Sequence, residues 1–211
     1  FLGGGDSMMQ LAGNGIIRSG ILSCNIGTAS QVACALDRPI HDTEFRTNTF
    51  CHTGSGLWEI QGSSLTGGVA LKWLRDNMLH MSDFGEMTDL AGTAPAGSDG
   101  LLFLPYLSGE RCPYNDPKAR GIYFGMSLYH SREHLIRSTM EGVIFGLKES
   151  LEIFKGMGIR FDKVIASGGG ARGQLFREIQ ADVFEAEIHT AGEAEQACVG
   201  AAMTAAVGCG S

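Results

Sequence analysis

Apolar residues in this chain change rhythm several times, and each change marks an element. Ile136, Met140, Val143, Leu147, Leu151 and Phe154 recur at steps of three and four. That spacing predicts a helix over 131–155, opened by Ser131 and His134. Leu175, Ile179 and Val183 share one face of a second helix, Gln174 to Phe184. Val69, Leu71, Leu74 and Met78 fall near helical spacing between Thr66 and Leu79. An alanine-rich run from Glu195 to Val207 reads as a helix able to pack closely on a sheet. At the start, a strand end and a glycine turn lead into a short helix through Met8, Met9 and Leu11. Short apolar runs predict buried strands at 20–26, 31–36, Trp58–Gln61, Leu101–Leu104 (ended by Pro105) and Lys163–Ala166. Residues 37–56 read as loop and short strand, and 82–99 as a connection with one short helix. Residues 106–121 form a long loop, a length uncommon unless functional. Strands alternating with helices predict an α/β domain.

Composition narrows the class. At 211 residues the chain is one large domain or two small ones. Its apolar fraction of 44% and charged fraction of 18% are those of an ordinary globular protein. The 31 glycines are about twice the usual share of roughly 7%. They follow no collagen period and sit mostly at element ends, so they mark turns and helix starts. A net charge of −7 argues against a nucleic-acid partner. No apolar run reaches the length of a membrane span, and no signal peptide is visible. Six cysteines show no C-x-x-C pair and no zinc-like spacing, so no metal ligands are assigned. Cys24, Cys34 and Cys198 lie in apolar runs and are expected as buried thiols. The cytoplasm is the simplest compartment. Trp58 and Trp73 are expected in the core, and the six scattered histidines as structural or exposed. The start at Phe1 and the end at Gly208–Ser211 both read as cuts out of a longer protein.

Glycine-rich turns stand where strands meet helices: Gly3–Ser7, Asn25–Ser30, Gly67–Gly68 and Ser167–Arg172. Glycine lets backbone approach a ligand closely, and a helix start offers N–H groups to an anion. Several such turns suggest a phosphate cradle assembled from distant segments. Asp6 lies inside the first. It suits two jobs, an N-cap for the short helix or a base for an attacking hydroxyl. Gly27-Thr28 reads equally as a plain β-turn or as a phosphate loop. Gly168 to Gly173 is only an approximate G-x-G-x-x-G, and the ribose acid of a dinucleotide-binding fold is not well placed. There is no P-loop motif. In the loop Ser108–Pro117, Arg111 could reach a phosphate or pair with Glu110 or Asp116.

Five stretches in order resemble the FGGY family of carbohydrate kinases. They are Gly3-Gly4-Gly5-Asp6, Asn25–Ser30, Leu104–Arg111, Asn115–Gly121 with Phe124-Gly125, and Ser167–Arg172 with Gln180-Ala181-Asp182. The resemblance implies an actin-like ATPase, ribonuclease H-like domain with a mixed sheet flanked by helices. It implies that residues 1–211 are the C-terminal domain of such a kinase. The implied reaction is ATP-dependent phosphorylation of a sugar hydroxyl with Mg²⁺, and the branch acting on D-xylulose to give D-xylulose 5-phosphate is favoured. By the same resemblance Asp6 matches the catalytic base, and Gly27 and Thr28 the loop that meets the ATP phosphates. Gly68 matches a glycine lining the nucleotide site, and Lys72 a polar contact one turn later. Gly169, Gly170 and Gly173 match the turn bordering adenine, where some members carry an adenine-contacting Asn in place of Gly173. Ser7 stands where Asn or Gln is commoner. An absent N-terminal domain would supply the other phosphate loop, an acid near Mg²⁺ and most of the sugar pocket. This chain alone is therefore expected to be essentially inactive. Members of the family are often dimers, which allows a homodimer here.

Three competing functions remain at this point. Another sugar or polyol, such as ribulose, gluconate or glycerol, could be the acceptor. The domain could be a non-catalytic actin-like nucleotide-binding module, which has no need of Asp6. A Rossmann oxidoreductase is disfavoured by the missing ribose acid.

Overall fold

A computed structural model describes residues 3–192 and 195–210. The strand end expected at Phe1 and Leu2 lies outside them. Six strands form one mixed sheet: β1 (Ile21–Ile26), β2 (Ser30–Leu36), β3 (Asn48–Cys51), β4 (Trp58–Ser64), β7 (Lys163–Gly168) and β8 (Glu187–Thr190). Their order is β3-β4-β2-β1-β7-β8. Neighbours from β3 to β1 run antiparallel, whereas β1, β7 and β8 run parallel. A second, two-stranded sheet pairs β5 (Leu102–Leu104) with β6 (Ile122–Phe124).

Alternation along the strands divides the core. Leu22, Cys24, Ile26, Val32, Cys34, Ile60 and Val164 point to one face. There they meet the long helix α4 (Arg132–Gly156), together with α2 (Gly68–Trp73), α3 (Phe84–Ala91) and α5 (Gln174–Phe184). Ala33, Ala35 and Ile165 point the other way, against Leu11 of α1 (Asp6–Gly13) and Ile16. The sixth helix, α6 (Gln196–Gly208), packs on α1.

Sequence logic explains α4. The Ser131 side chain and the His134 side chain satisfy each other's backbone N–H groups, a reciprocal cap that starts the helix. The helix buries Ile136, Met140, Val143, Ile144, Leu147, Leu151 and Phe154. Each such side chain contributes about 1.5–3 kcal/mol on burial. That outweighs the roughly 1 kcal/mol that Gly142 and Gly146 each cost a helix.

Five expectations need correction. Leu101–Leu104 is not a buried strand of the main sheet: only Leu101 and Phe103 are buried, while Leu102 and Leu104 are exposed. The β5–β6 ribbon has a single covered face, which packs on α4. Beyond α2 the chain widens into a π-helical turn over Leu74–Leu79. The wider turn rotates Met78 off the apolar face and leaves it exposed. The alanine-rich α6 packs closely on a helix rather than on the sheet, and Cys198 within it is exposed. On α5 the buried face is Phe176, Ile179, Gln180 and Phe184, with Leu175 and Val183 only half-buried at its margin. Cys24 and Cys34 are buried as expected, and burial pushes both thiols up to about 12. Both tryptophans pack against the core while half-buried. Among the described residues no helix is long and apolar enough to cross a membrane.

Candidate active site

The loop Gly27–Ala29 joins β1 to β2, and Thr28 and Ala29 in it are exposed. The start of α2 is fastened to that loop. Gly67 N–H donates to Thr28 O at 3.0 Å, Gly68 N–H to Gly27 O at 2.7 Å, and Val69 N–H to Thr28 O at 3.2 Å. A Cβ on Gly67 would overlap Ala29 O, and one on Gly68 would stand 2.8 Å from Gly27 O. The first N–H groups of α2 are thus spent on the loop's carbonyls, and this helix start is no open anion site. The free donors lie in the loop itself. Among the described residues, no backbone carbonyl outside the sheet ladder accepts from Gly27, Thr28 or Ala29. The exposed loop therefore fits a phosphate chain.

The end of β7 comes up beside the same loop. Gly168 has φ +74°, and a Cβ there would lie 2.6 Å from Ile26 O. A short 3₁₀ turn, Gly169–Ala171, follows, with Gly169 exposed and Gly170 buried. Gln180 Nε2 of α5 donates to Gly170 O at 3.2 Å and braces the turn. Gly173 caps α5; a Cβ there would meet only Phe176 and Thr88, at 3.9 Å, so a side chain has room. Lys72 lies on α2 one turn past Gly68, exposed and without an ion pair among the described residues.

Asp6 is the first residue of α1, and the N-cap is Gly5. The capping role considered for Asp6 is therefore not taken. The residue is exposed, and one carboxylate oxygen accepts from Ser7 N–H at 2.9 Å. Two side-chain links hold α1 over the strand ends. Ser7 Oγ donates to Gln31 Oε1 at 3.3 Å, at the start of β2. Gln10 Nε2 donates to Ser167 Oγ at 3.2 Å, just before Gly168. The structure thus joins Gly68 to Gly27 by a direct hydrogen bond and Thr28 to Gly67 and Val69 on either side of Gly68, and it brings Gly169 and Gly170 against Ile26. Asp6 is tied to both groups through its own helix. Gly173 stands apart, at the far end of the 169–173 turn.

Two acids escaped the sequence reading. Glu59 lies on β4 and is fully buried, and neither carboxylate oxygen has a hydrogen-bond partner among the described residues. Burial, with a lesser effect from the charge of Asp6, pushes it up to about 7. Glu59 pairs with Ala35, so it lies on the sheet face that Leu11 and Ile16 pack against. The sequence offers Glu110 only as one of two alternative partners for Arg111. Its carboxylate turns inward onto Ser64 and Leu65. Among the described residues no group of three or more His, Cys, Asp or Glu is placed to hold a metal ion. An open cavity of about 480 Å³ beside α4, lined by Tyr114, Phe145 and Lys148 among others, includes none of the candidate residues.

Comparison with known proteins identifies relatives of the whole chain. Residues 22–209 match the profile of the FGGY family of carbohydrate kinases, C-terminal domain. The chain is 33% identical over 210 residues to a xylulose kinase of Bacillus subtilis (strain 168), covering 100% of this chain and 42% of that one. It is 33% identical over 212 residues to a gluconokinase of the same strain, covering 95% and 41%. The crystal structure of a xyloylose kinase from Brucella ovis superposes with a TM-score of 0.91 at 28% identity, covering 99% of this chain and 43% of that one. The chain spans less than half the length of these relatives. The mixed sheet flanked by helices is the actin-like ATPase fold of these kinases. On the matched profile and the shared fold, the chain belongs to the FGGY family of carbohydrate kinases.

Proposed function

We propose that the protein containing this chain transfers the γ-phosphoryl group of ATP to a sugar hydroxyl, with D-xylulose as the acceptor. In this reading residues 1–211 are the C-terminal, nucleotide-binding domain. Loop 27–29 cradles the phosphates, with Gly68 behind it and Lys72 beside it, and Gly169 and Gly170 belong to the turn bordering the adenine. Gly173 borders the adenine. Asp6 accepts the hydroxyl proton as the oxygen bonds to the γ-phosphorus and the bond to ADP breaks. The transition state is loose, so aiming the hydroxyl matters more than removing its proton early. Mg²⁺ would offset phosphate charge, held with help from outside this chain. An N-terminal domain would bring the rest of the sugar pocket.

The observation that carries the proposal is an exposed acid, Asp6, on a helix tied at Ser7 and Gln10 to the strands that bear both glycine loops. A non-catalytic nucleotide module gives that acid nothing to do. The test is Asp6→Asn in the full-length protein, assayed with ATP and a panel of sugars. Turnover should fall by about 10²–10⁴-fold, the usual worth of a general base, with ATP binding kept. Near-normal turnover in the variant would overturn the assignment. The gluconokinase relative supports a second acceptor, and the panel separates the two by kcat/KM.

A further inference from the structure

The loop from Ser108 to Gly121 received no chemical role from the sequence, yet it contains a built hydrogen-bond clamp. Glu110 is 3% exposed. Its Oε2 accepts from Ser64 Oγ at 2.7 Å, and its Oε1 accepts from Leu65 N–H at 3.1 Å and from Arg111 N–H at 2.6 Å. The loop is itself strapped to the same strand, since Cys112 N–H donates to Ser63 O at 3.0 Å. Glu110 N–H donates to Asp116 O at 2.8 Å, which closes the loop behind the carboxylate.

What the clamp holds is the approach to the glycine pair. Ser64 is the last residue of β4, and its hydroxyl also accepts from Thr66 N–H at 3.3 Å. Thr66 O accepts from Ser30 Oγ at 3.4 Å, on the far side of loop 27–29. Gly67 and Gly68 follow at once and donate to Thr28 O and Gly27 O. A chain of hydrogen bonds thus runs from Glu110 through Ser64 and Thr66 to Ser30, the residue that follows the proposed phosphate loop. Every donor in it is buried or half-buried, and a buried carboxylate gives its partners the strongest of such bonds.

We propose that Glu110 is a positioning residue for the nucleotide-phosphate loop: by fixing Ser64 and Leu65 it sets where Gly67 and Gly68 grip Gly27 and Thr28. The proposal rests on the reading of loop 27–29 as a phosphate cradle. It gives the 108–121 loop a task in binding ATP without touching it.

The test uses Glu110→Gln and Ser64→Ala in the full-length protein. Each removes part of the clamp while leaving β4 and the glycines in place. Titration of ATP and of the sugar, with kinetics beside it, should show a split. Loss of a charge-assisted bond predicts ATP affinity about tenfold weaker in Glu110→Gln, with a smaller loss in Ser64→Ala. Sugar affinity should stay within about twofold, since neither Asp6 nor Ser7 bonds directly to Glu110, Ser64, Leu65 or Thr66. A general loss of structure would weaken both substrates together, and that result would overturn the proposal. So would unchanged ATP affinity in both variants. If Glu110→Gln fails to fold, Ser64→Ala decides alone. If the wild-type protein binds ATP but phosphorylates no sugar, the proposed function fails while the binding split still judges Glu110. If it binds no ATP, both fall.

Discussion

Gly13 of α1 and Gly200 of α6 cross with their backbones in contact. A Cβ on Gly200 would overlap Met9 O and stand 2.9 Å from Gly13 N. One on Gly13 would overlap Gln196 O and stand 3.0 Å from Gly200 N. The helix that begins with Asp6 is therefore docked on α6 at a spacing only glycine permits. Thr204 Oγ1 extends the contact to Met9 Sδ at 3.8 Å.

Gly200→Val should push α1 outward and take Asp6 with it. Overpacking of this kind costs about 1–3 kcal/mol of stability. A displacement of about 1 Å at a reacting group can cost 10²-fold in rate. Loops 27–29 and 169–170 hang from strands, not from α1, so ATP affinity should hold. Steady-state kinetics of the full-length variant, read as kcat against KM for ATP, checks this. An unchanged kcat would mean that the α1–α6 crossing does not position the acid.

Glu59 makes a prediction about pH. Its carboxyl is raised from an ordinary 4.5 to about 7, first by burial and then by Asp6. The unfolded chain therefore gives up this proton more readily than the folded one. Stability from this group is full below about pH 4.5, falls as pH rises towards 7, and is level above that. The shift corresponds to on the order of 3 kcal/mol. Glu59→Gln stays neutral throughout, so its stability relative to wild type should rise between pH 4.5 and 7. Hydrogen exchange of the β2 and β4 amides, compared between the two full-length proteins at each pH, reads the difference directly. A constant gap across that range would show that folding does not raise the Glu59 carboxyl above its ordinary range.

Local rhythm made some of this molecule legible and long-range packing hid the rest. The α5 bounds, Gln174–Phe184, are those the sequence predicts, and α4 differs by one residue at each end, because capping and apolar spacing are local signals. β1, β2 and β7 announced themselves as apolar runs because both faces of the sheet are covered. β6 and β8, with three and four residues, carry too few positions to show a period. The glycine turns were readable as loops. That Gly68 is held by Gly27, or Glu110 by Ser64, was not, since those pairs meet across 41 and 46 residues of sequence. Asp6 offered two roles from local chemistry alone, and only the position of Gly5 as the cap removed one of them.

Gly68 sets two effects against each other. Alanine is the better helix former by about 1 kcal/mol, and Gly68 is the first residue of α2, so propensity alone favours Gly68→Ala. The new methyl would stand 2.8 Å from Gly27 O, a backbone atom that cannot swing aside. That carbonyl is fixed from behind, because Ile26 and Ser30 on either side of the loop are paired in the sheet. Relief must come from moving α2 away, which breaks the 2.7 Å bond from Gly68 N–H to Gly27 O and leaves both groups short of a partner. Stranding such groups costs about 1–3 kcal/mol, more than propensity returns. Gly68→Ala should therefore weaken ATP binding about tenfold or more while leaving sugar binding near wild type. Calorimetric titration of each substrate against the full-length variant measures both arms, and ATP affinity at or above wild type would show that the loop at 27–29 does not depend on this contact.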